Sequence, residues 1–194
     1  MLNQYLQDHL EEHFGDTWIH SPFTAEIYHG SRYDDTLNVE YEAWVVARKK
    51  AIDEGRFEDY VWLAARPYRL NAFEELVICK AIGYERAAKL IMAIWRDVEL
   101  PGFHEDYWRV LFADFRDSQA FADTKRDLPK RFKVWRGGDA DGLSWTMDEA
   151  VARTFSTMHR RNGEIHSKVI GRKQVLFYTD NRNEKEVVLG IVDK

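Results

Sequence analysis

The residues of this chain best suited to chemistry lie in two short stretches, V-W-R-G-G-D-A-D-G-L-S-W-T (Val134 to Thr146) and N-E-K-E-V-V-L (Asn183 to Leu189). In the first, strand alternation puts Phe132, Val134 and Arg136 on one face, so a guanidinium ends an apolar row. Such an arginine serves equally well as a strand-end ion pair or as the ligand of an anion. Ser144 and Thr146 are two residues apart. If extended, their hydroxyls point one way and the Trp145 indole the other. Thr146-Met147-Asp148-Glu149 also reads as a capping box opening a helix, which gives Thr146 a structural task and leaves Ser144 the freer hydroxyl. In the second stretch, a strand through Glu184 and Glu186 holds two carboxylates on one face, with Lys185, Val187, Leu189 and Ile191 on the other. Carboxylates side by side repel, so they mark either the plain solvent face of an edge strand or a site that uses their charge.

Other chemistry-bearing patterns are weaker. His9-Leu10-Glu11-Glu12-His13 matches the inverted zincin spacing H-x-x-E-H. Zinc hydrolysis would need a third ligand, and the bland alternative is a solvated helix face, so no metal is expected. Asp139-Ala140-Asp141-Gly142 resembles a calcium loop only at its start: Leu143 stands where the third acidic ligand belongs, and an ordinary turn is expected. Cys79, the single cysteine, lies in the apolar run Leu76-Val77-Ile78-Cys79 and reads as a buried structural thiol. His20, His29, His104, His159 and His166 show no mutual ligand spacing, and the chain has no G-x-S-x-G, Walker-type loop or CxxC.

The elements that must position these residues differ along the chain. Residues 1–128 read as mostly helical. Stripes run through Tyr5, Leu6, Leu10, His13 and Phe14, through Tyr41 to Ile52 and through Phe57 to Ala64. Further helices are expected over Ala72 to Ile82, Tyr84 to Val98, Phe103 to Phe115 and Ala120 to Thr124, with a loop over Asp16–Tyr33. After Pro129 strands are expected over Arg131 to Trp135, Lys168 to Ile170, Gln174 to Tyr178 and Glu184 to Val192. One helix, through Val151, Phe155 and Met158, is expected to stop at Asn162-Gly163. The expected fold is α+β, a helical part (1–128) followed by a compact β-rich core (129–194), possible also as one integrated domain.

The chain has 194 residues, 45% of them hydrophobic and 14% aromatic, enough to build a core. No apolar run approaches a membrane span, and the N-terminus lacks a basic, apolar leader, so a cytoplasmic protein without membrane association is expected. The net charge of −5 argues against a general nucleic-acid coat. Residues 129–194 nevertheless carry 13 Lys+Arg against 9 Asp+Glu, compatible with an anionic ligand there or with chance segregation.

Taken in order, Arg136-Gly137, Ser144-Trp145-Thr146 and Glu184-Lys185-Glu186 resemble the R-S-E class of mono-ADP-ribosyltransferases. In that family an arginine, a Ser-Thr-Ser-like strand and a Glu-x-Glu follow one another. The surrounding G-L-S-W-T, A-V-A-R-T-F and E-K-E-V-V-L look like phage and bacterial members, and the resemblance covers roughly residues 131–190. It implies an ADP-ribosyltransferase-like core that takes NAD as co-substrate and releases nicotinamide. The ADP-ribose acceptor would be a host macromolecule, a protein side chain first and nucleic acid second, in the host cytoplasm if the chain is phage-encoded. Glu186 would stabilise the oxocarbenium-like ribose, and Glu184 would orient or deprotonate the acceptor, as in members with arginine targets. Arg136 would hold the diphosphate, Gly137 would admit the nicotinamide carboxamide to the backbone, Ser144 would support the ribose or Glu186 by hydrogen bond, and Thr146 would belong to the same cofactor-binding set. Trp135, Phe155 and Tyr178 could wall the nicotinamide or simply be core. The alternatives are an NAD glycohydrolase and a non-catalytic binding module on the same fold. Trp145 departs from the small middle residue of the family pattern.

Overall fold

A computed structural model describes residues 1–97, 105–158 and 163–190. The fold is α+β, with two antiparallel sheets. The chain divides into two compact units, Met1–Val98 and Glu99–Lys194. The compositional boundary at Pro129 therefore falls inside the second unit. The expected helix stop at Pro101-Gly102, the ends of the segments expected at Val98, Phe103, Asn162 and Val192, and His104, His159 and Ile191 lie outside the described residues.

The N-terminal unit opens with a single helical turn, α1 (Gln4–Gln7), capped by the Asn3 side chain, which accepts from the Leu6 amide at 2.9 Å. The helical stripe expected through Leu10, His13 and Phe14 is instead strand. β1 (Leu10–His13), β2 (Asp16–His20) and β3 (Ala25–Ile27) form a meander, so the expected loop over Asp16–Tyr33 is largely sheet. Phe14 and Gly15 join β1 to β2, both with positive φ (53° and 90°), the signature of a two-residue type I′ hairpin. Burial of Leu6 and Ile19 beside Tyr5, Phe23 and Tyr41 holds this sheet. Helices α2 (Asp34–Asp53), α3 (Phe57–Trp62) and α5 (Tyr84–Asp97) lie close to their expected places, whereas α4 (Arg69–Ile78) ends before the expected stop at Gly83, closed by Lys80 in the left-handed conformation (φ 53°). α5 buries Ala87, Ala88, Leu90, Ile91, Met92, Ile94 and Trp95.

Cys79 is exposed rather than buried. α4 turns Ala72, Phe73 and Leu76 inward and ends at Ile78, itself 78% exposed, so the apolar run continues past the buried face onto the surface.

The C-terminal unit contains α6 (Glu105–Asp114), α7 (Gln119–Thr124), β4 (Arg131–Gly137), β5 (Ser144–Thr146), α8 (Glu149–Thr157), β6 (Ile165–Gly171), β7 (Val175–Thr179) and β8 (Glu186–Leu189). Its five strands lie in the order β6-β4-β5-β8-β7, each antiparallel to its neighbours. Strand alternation sorts two faces. One carries Val134, Trp145, Ile170, Val175, Val187 and Leu189, packed with Phe132, Met147 and Tyr178 into a core cluster. On the other, Phe177 meets Phe112 of α6 and Phe121 of α7, each at 5.1 Å between ring centroids. Burying each such aromatic contributes about 1.5–3 kcal/mol. Among the described residues no helix is long and apolar enough to cross a membrane.

Candidate active site

Ser144 and Glu186 meet because β5 and β8 are paired. The register sets Ser144 opposite Val188 and Thr146 opposite Glu186. Ser144 and Glu186 are thus diagonal neighbours on one face, and the Ser144 hydroxyl donates to Glu186 Oε1 at 2.5 Å. β8 lies between β5 and β7, so Glu186 sits on an interior strand and the edge-strand reading is excluded. A row crosses the sheet at this level: Ser167, Trp135, Thr146, Glu186 and Thr179 pair successively from β6 to β7. Trp135 therefore shares the face of Glu186. Tyr178 does not, since it pairs with Val187 on the opposite face, and Trp145 packs there too, its indole N–H donating to the Gly142 carbonyl at 2.9 Å.

Glu184 departs from expectation. β8 begins only at Glu186, and the residues before it form a one-turn 3-10 helix and a bend. Arg182, Asn183 and Lys185 all have positive φ (62°, 58° and 46°), which breaks the alternation that would have put Glu184 beside Glu186. The physical reason is a set of local bonds stronger than strand propensity. The Lys185 amide donates to Asp180 Oδ1 at 3.2 Å, the Lys185 carbonyl accepts from the Met147 amide at 3.0 Å, and the Glu184 carbonyl accepts from the Thr146 hydroxyl at 2.6 Å. Left-handed Arg and Lys cost of order 1 kcal/mol or more each, and this strain is concentrated immediately ahead of the Glu186 carboxylate.

Thr146 is not the cap of α8. That place belongs to Asp148, whose carboxylate accepts from the Ala150 amide at 3.0 Å; this bond, followed by the Lys185 ammonium, holds the Asp148 carboxyl below its usual range. Thr146 Oγ1 accepts from the Asp148 amide at 3.0 Å while donating to Glu184, so it ties the end of β5 to the strained bend.

Arg136 alternates onto the face of Val134, opposite Glu186, and its guanidinium reaches over the strand end. Nε donates to the Asp139 carbonyl at 2.5 Å, Nη1 to the Ser144 carbonyl and Nη2 to Glu105 Oε1 at 3.3 Å. It crosses directly over Gly142, where a Cβ would collide with it. The expected turn at Asp139–Gly142 is thus fastened by guanidinium groups: the Asp141 carbonyl accepts from Arg109. Arg136 and Ser144 touch, but through the serine backbone rather than its hydroxyl.

Gly137 is a glycine for a packing reason. A Cβ there would run into the Ala152 carbonyl and the Ser156 backbone of α8. Its bareness lets helix and strand approach closely, and this accounts for it without a ligand.

Three residues that sequence reasoning missed complete the neighbourhood. Glu105 lies between Arg136 and Arg109 (3.3 and 3.6 Å), and Lys168 places its ammonium 3.8 Å above the Trp145 ring. Burial, then the nearby positive charges of Arg136 and Arg109, push the Lys168 amine below its usual value. The Glu105/Arg109 spacing of four could be read as a helix-face ion pair, but nothing local linked it to Arg136. No family model, curated protein or solved structure matches the chain.

Proposed function

We propose that the C-terminal unit cleaves NAD and transfers ADP-ribose to a macromolecular acceptor, a protein side chain first. The observation that carries this reading is the Ser144–Glu186 hydrogen bond on two central strands. A serine hydroxyl fixes one oxygen of a carboxylate and thereby its orientation, which is what a group stabilising a developing ribosyl cation requires. In the reaction the nicotinamide–ribose bond breaks, nicotinamide leaves with the electron pair, and the cation at the anomeric carbon is attacked by the acceptor, whose proton is lost to a base. Glu186 supplies the negative charge, and Ser144 orients it. The NAD diphosphate is assigned to Arg136, whose guanidinium reaches over the strand end from the opposite face, and to Arg109, with Glu105 as the resident anion it displaces. Trp135 is the aromatic residue on the Glu186 face available to a nicotinamide ring. The family fold implied by the R-S-E order remains part of this proposal.

One observation favours hydrolysis as a second reading. Glu184 lies off the strand face of Glu186, with Arg182 3.6 Å from its carboxylate, so the group meant to orient an arginine acceptor is held elsewhere. Water then becomes the acceptor. Incubation with NAD labelled in the ADP-ribose moiety and cell lysate separates the readings. Label on macromolecules supports transfer, and label confined to free ADP-ribose supports hydrolysis. Binding of NAD without turnover would leave only a binding module. The absence of transfer, hydrolysis and binding, with Glu186→Gln behaving as the parent, would refute all three.

A further inference from the structure

We propose that Glu11, His13 and His20 form a binding site for a zinc-class divalent transition-metal ion on the N-terminal sheet, independent of the NAD chemistry. Glu11 and His13 are two apart on β1 and so share a face. β2 pairs Glu11 with Trp18, and its next same-face residue, His20, lies opposite His9, whose carbonyl accepts from the His20 amide at 2.9 Å. The three side chains offer one ligand atom each, all within 4.8 Å of one another, and His13 Nε2 is already 3.6 Å from Glu11 Oε2. The His13 and His20 rings have centroids 5.4 Å apart, and Trp18 flanks His20 at 5.7 Å.

Zinc binds imidazole nitrogen and carboxylate oxygen at about 2.0–2.2 Å, so tetrahedral donors stand roughly 3.5 Å apart. The Glu11–His13 pair already has that separation, and His20 reaches it by a modest side-chain rotation. Glu11 and His13 are both about half exposed and turn without disturbing the core. Two imidazoles and one carboxylate select zinc, cobalt or nickel over calcium and magnesium, which want oxygen alone. Three protein ligands on one face leave an outward position for water or an exogenous ligand.

This set differs from the H-x-x-E-H reading, which needs a helix. His9 Nδ1 is held 2.7 Å from the Tyr5 carbonyl, with the rings in contact at 4.3 Å. Glu12 points to the other face, where it accepts from the Thr17 hydroxyl at 2.6 Å. Only His13 is common to both patterns.

The full chain, freed of metal, is titrated with Co²⁺ followed spectroscopically, then with Zn²⁺, with bound metal counted by elemental analysis. One equivalent per chain is expected, with Zn²⁺ displacing Co²⁺ and raising Tm. Glu11→Gln, His13→Ala and His20→Ala should each lower affinity by more than the roughly 10–100-fold that loss of a supporting residue costs. Glu12→Gln should leave it unchanged. Far-UV circular dichroism checks the fold, and the exposed Glu11 and His13 variants remain decisive if His20→Ala misfolds. No uptake, Mg²⁺ binding as tight as Zn²⁺, unchanged affinity in the Glu11 and His13 variants, or equal loss in Glu12→Gln would each overturn the site.

Discussion

The Ser144 hydroxyl orients a charge, and its removal should act on rate more than on fold. A hydrogen bond to a charged group is worth about 1.5–3 kcal/mol, so on the proposed function Ser144→Ala should lower kcat for NAD cleavage about 10- to 100-fold, with Tm nearly unchanged. Glu186→Gln should cost at least about 100-fold, since it removes the charge itself. Steady-state nicotinamide release measures both. A Ser144→Ala variant as fast as the parent would mean that the contact is structural. Glu105 gives an opposite expectation. Its carboxylate lies against both Arg136 and Arg109, so Glu105→Gln should release these cations to an anion and tighten NAD binding by up to about tenfold in calorimetric titration. Weaker binding would mean that Glu105 belongs to the ligand's own contacts. At this scale the sequence was informative about Ser144 and Glu186, because alternation within each stretch selected the right faces. It was silent on Glu105, Arg109 and Lys168, whose meeting depends on a tertiary placement that no local spacing encodes.

Helices were legible where one apolar stripe was backed by stop signals, as in α2 before Gly55 and α3 before Pro67. The β1–β2 hairpin was not. Tyr5, Leu6 and Leu10 mimic a helical period, and the turn uses Phe14-Gly15 in place of the Asn-Gly that usually announces a type I′ turn. Glu184 was misplaced for a related reason: strand alternation was carried through the left-handed Lys185, whose amide is held by Asp180 and whose carbonyl is held by the Met147 amide. Two glycines in the C-terminal unit test how its elements meet. Gly137→Ala forces a methyl against the backbone of α8, which cannot move aside as a side chain can. The expected destabilisation is about 1–3 kcal/mol, read from denaturant midpoints. Gly142→Ala instead meets the guanidinium of Arg136, a flexible group. It should displace that group from the Ser144 carbonyl, so its loss of NAD cleavage should match that of Arg136→Ala while its stability falls less than that of Gly137→Ala. If Gly142→Ala cleaves NAD normally, the Arg136–Ser144 contact has no part in positioning β5.

At the scale of the molecule, each unit has its own core and its own linkage to solvent. In the N-terminal unit the Tyr28 hydroxyl donates to Asp34 Oδ1 at 2.7 Å. That bond is the main cause holding the Asp34 carboxyl below its usual value, and it raises the Tyr28 phenol. A depressed carboxyl contributes stability that is present above the unfolded carboxylate pKa and lost as pH falls through the folded one. A raised phenol contributes stability below the unfolded phenol pKa and loses it as pH rises through the folded one. The bond therefore stabilises between the carboxylate and phenol ranges, and Tyr28→Phe should lower Tm at neutral pH and flatten both limbs of the Tm–pH curve. An unchanged curve would deny the bond any role. The C-terminal unit makes the larger claim, because the proposed NAD chemistry and the core of Val134, Trp145, Val187, Phe112, Phe121 and Phe177 all lie within Glu99–Lys194. A fragment spanning these residues should unfold cooperatively, with the enthalpy of roughly 60–80 kcal/mol expected for a domain of about 100 residues, and should retain NAD cleavage. A fragment cut at Pro129 should do neither, because it loses α6 and α7 and leaves Phe177 without Phe112 and Phe121. Calorimetry of the two fragments distinguishes a boundary set by composition from one set by packing: if the shorter fragment folds as well as the longer and still cleaves NAD, the helices ahead of β4 are dispensable and the assignment of Arg109 to the diphosphate fails with them.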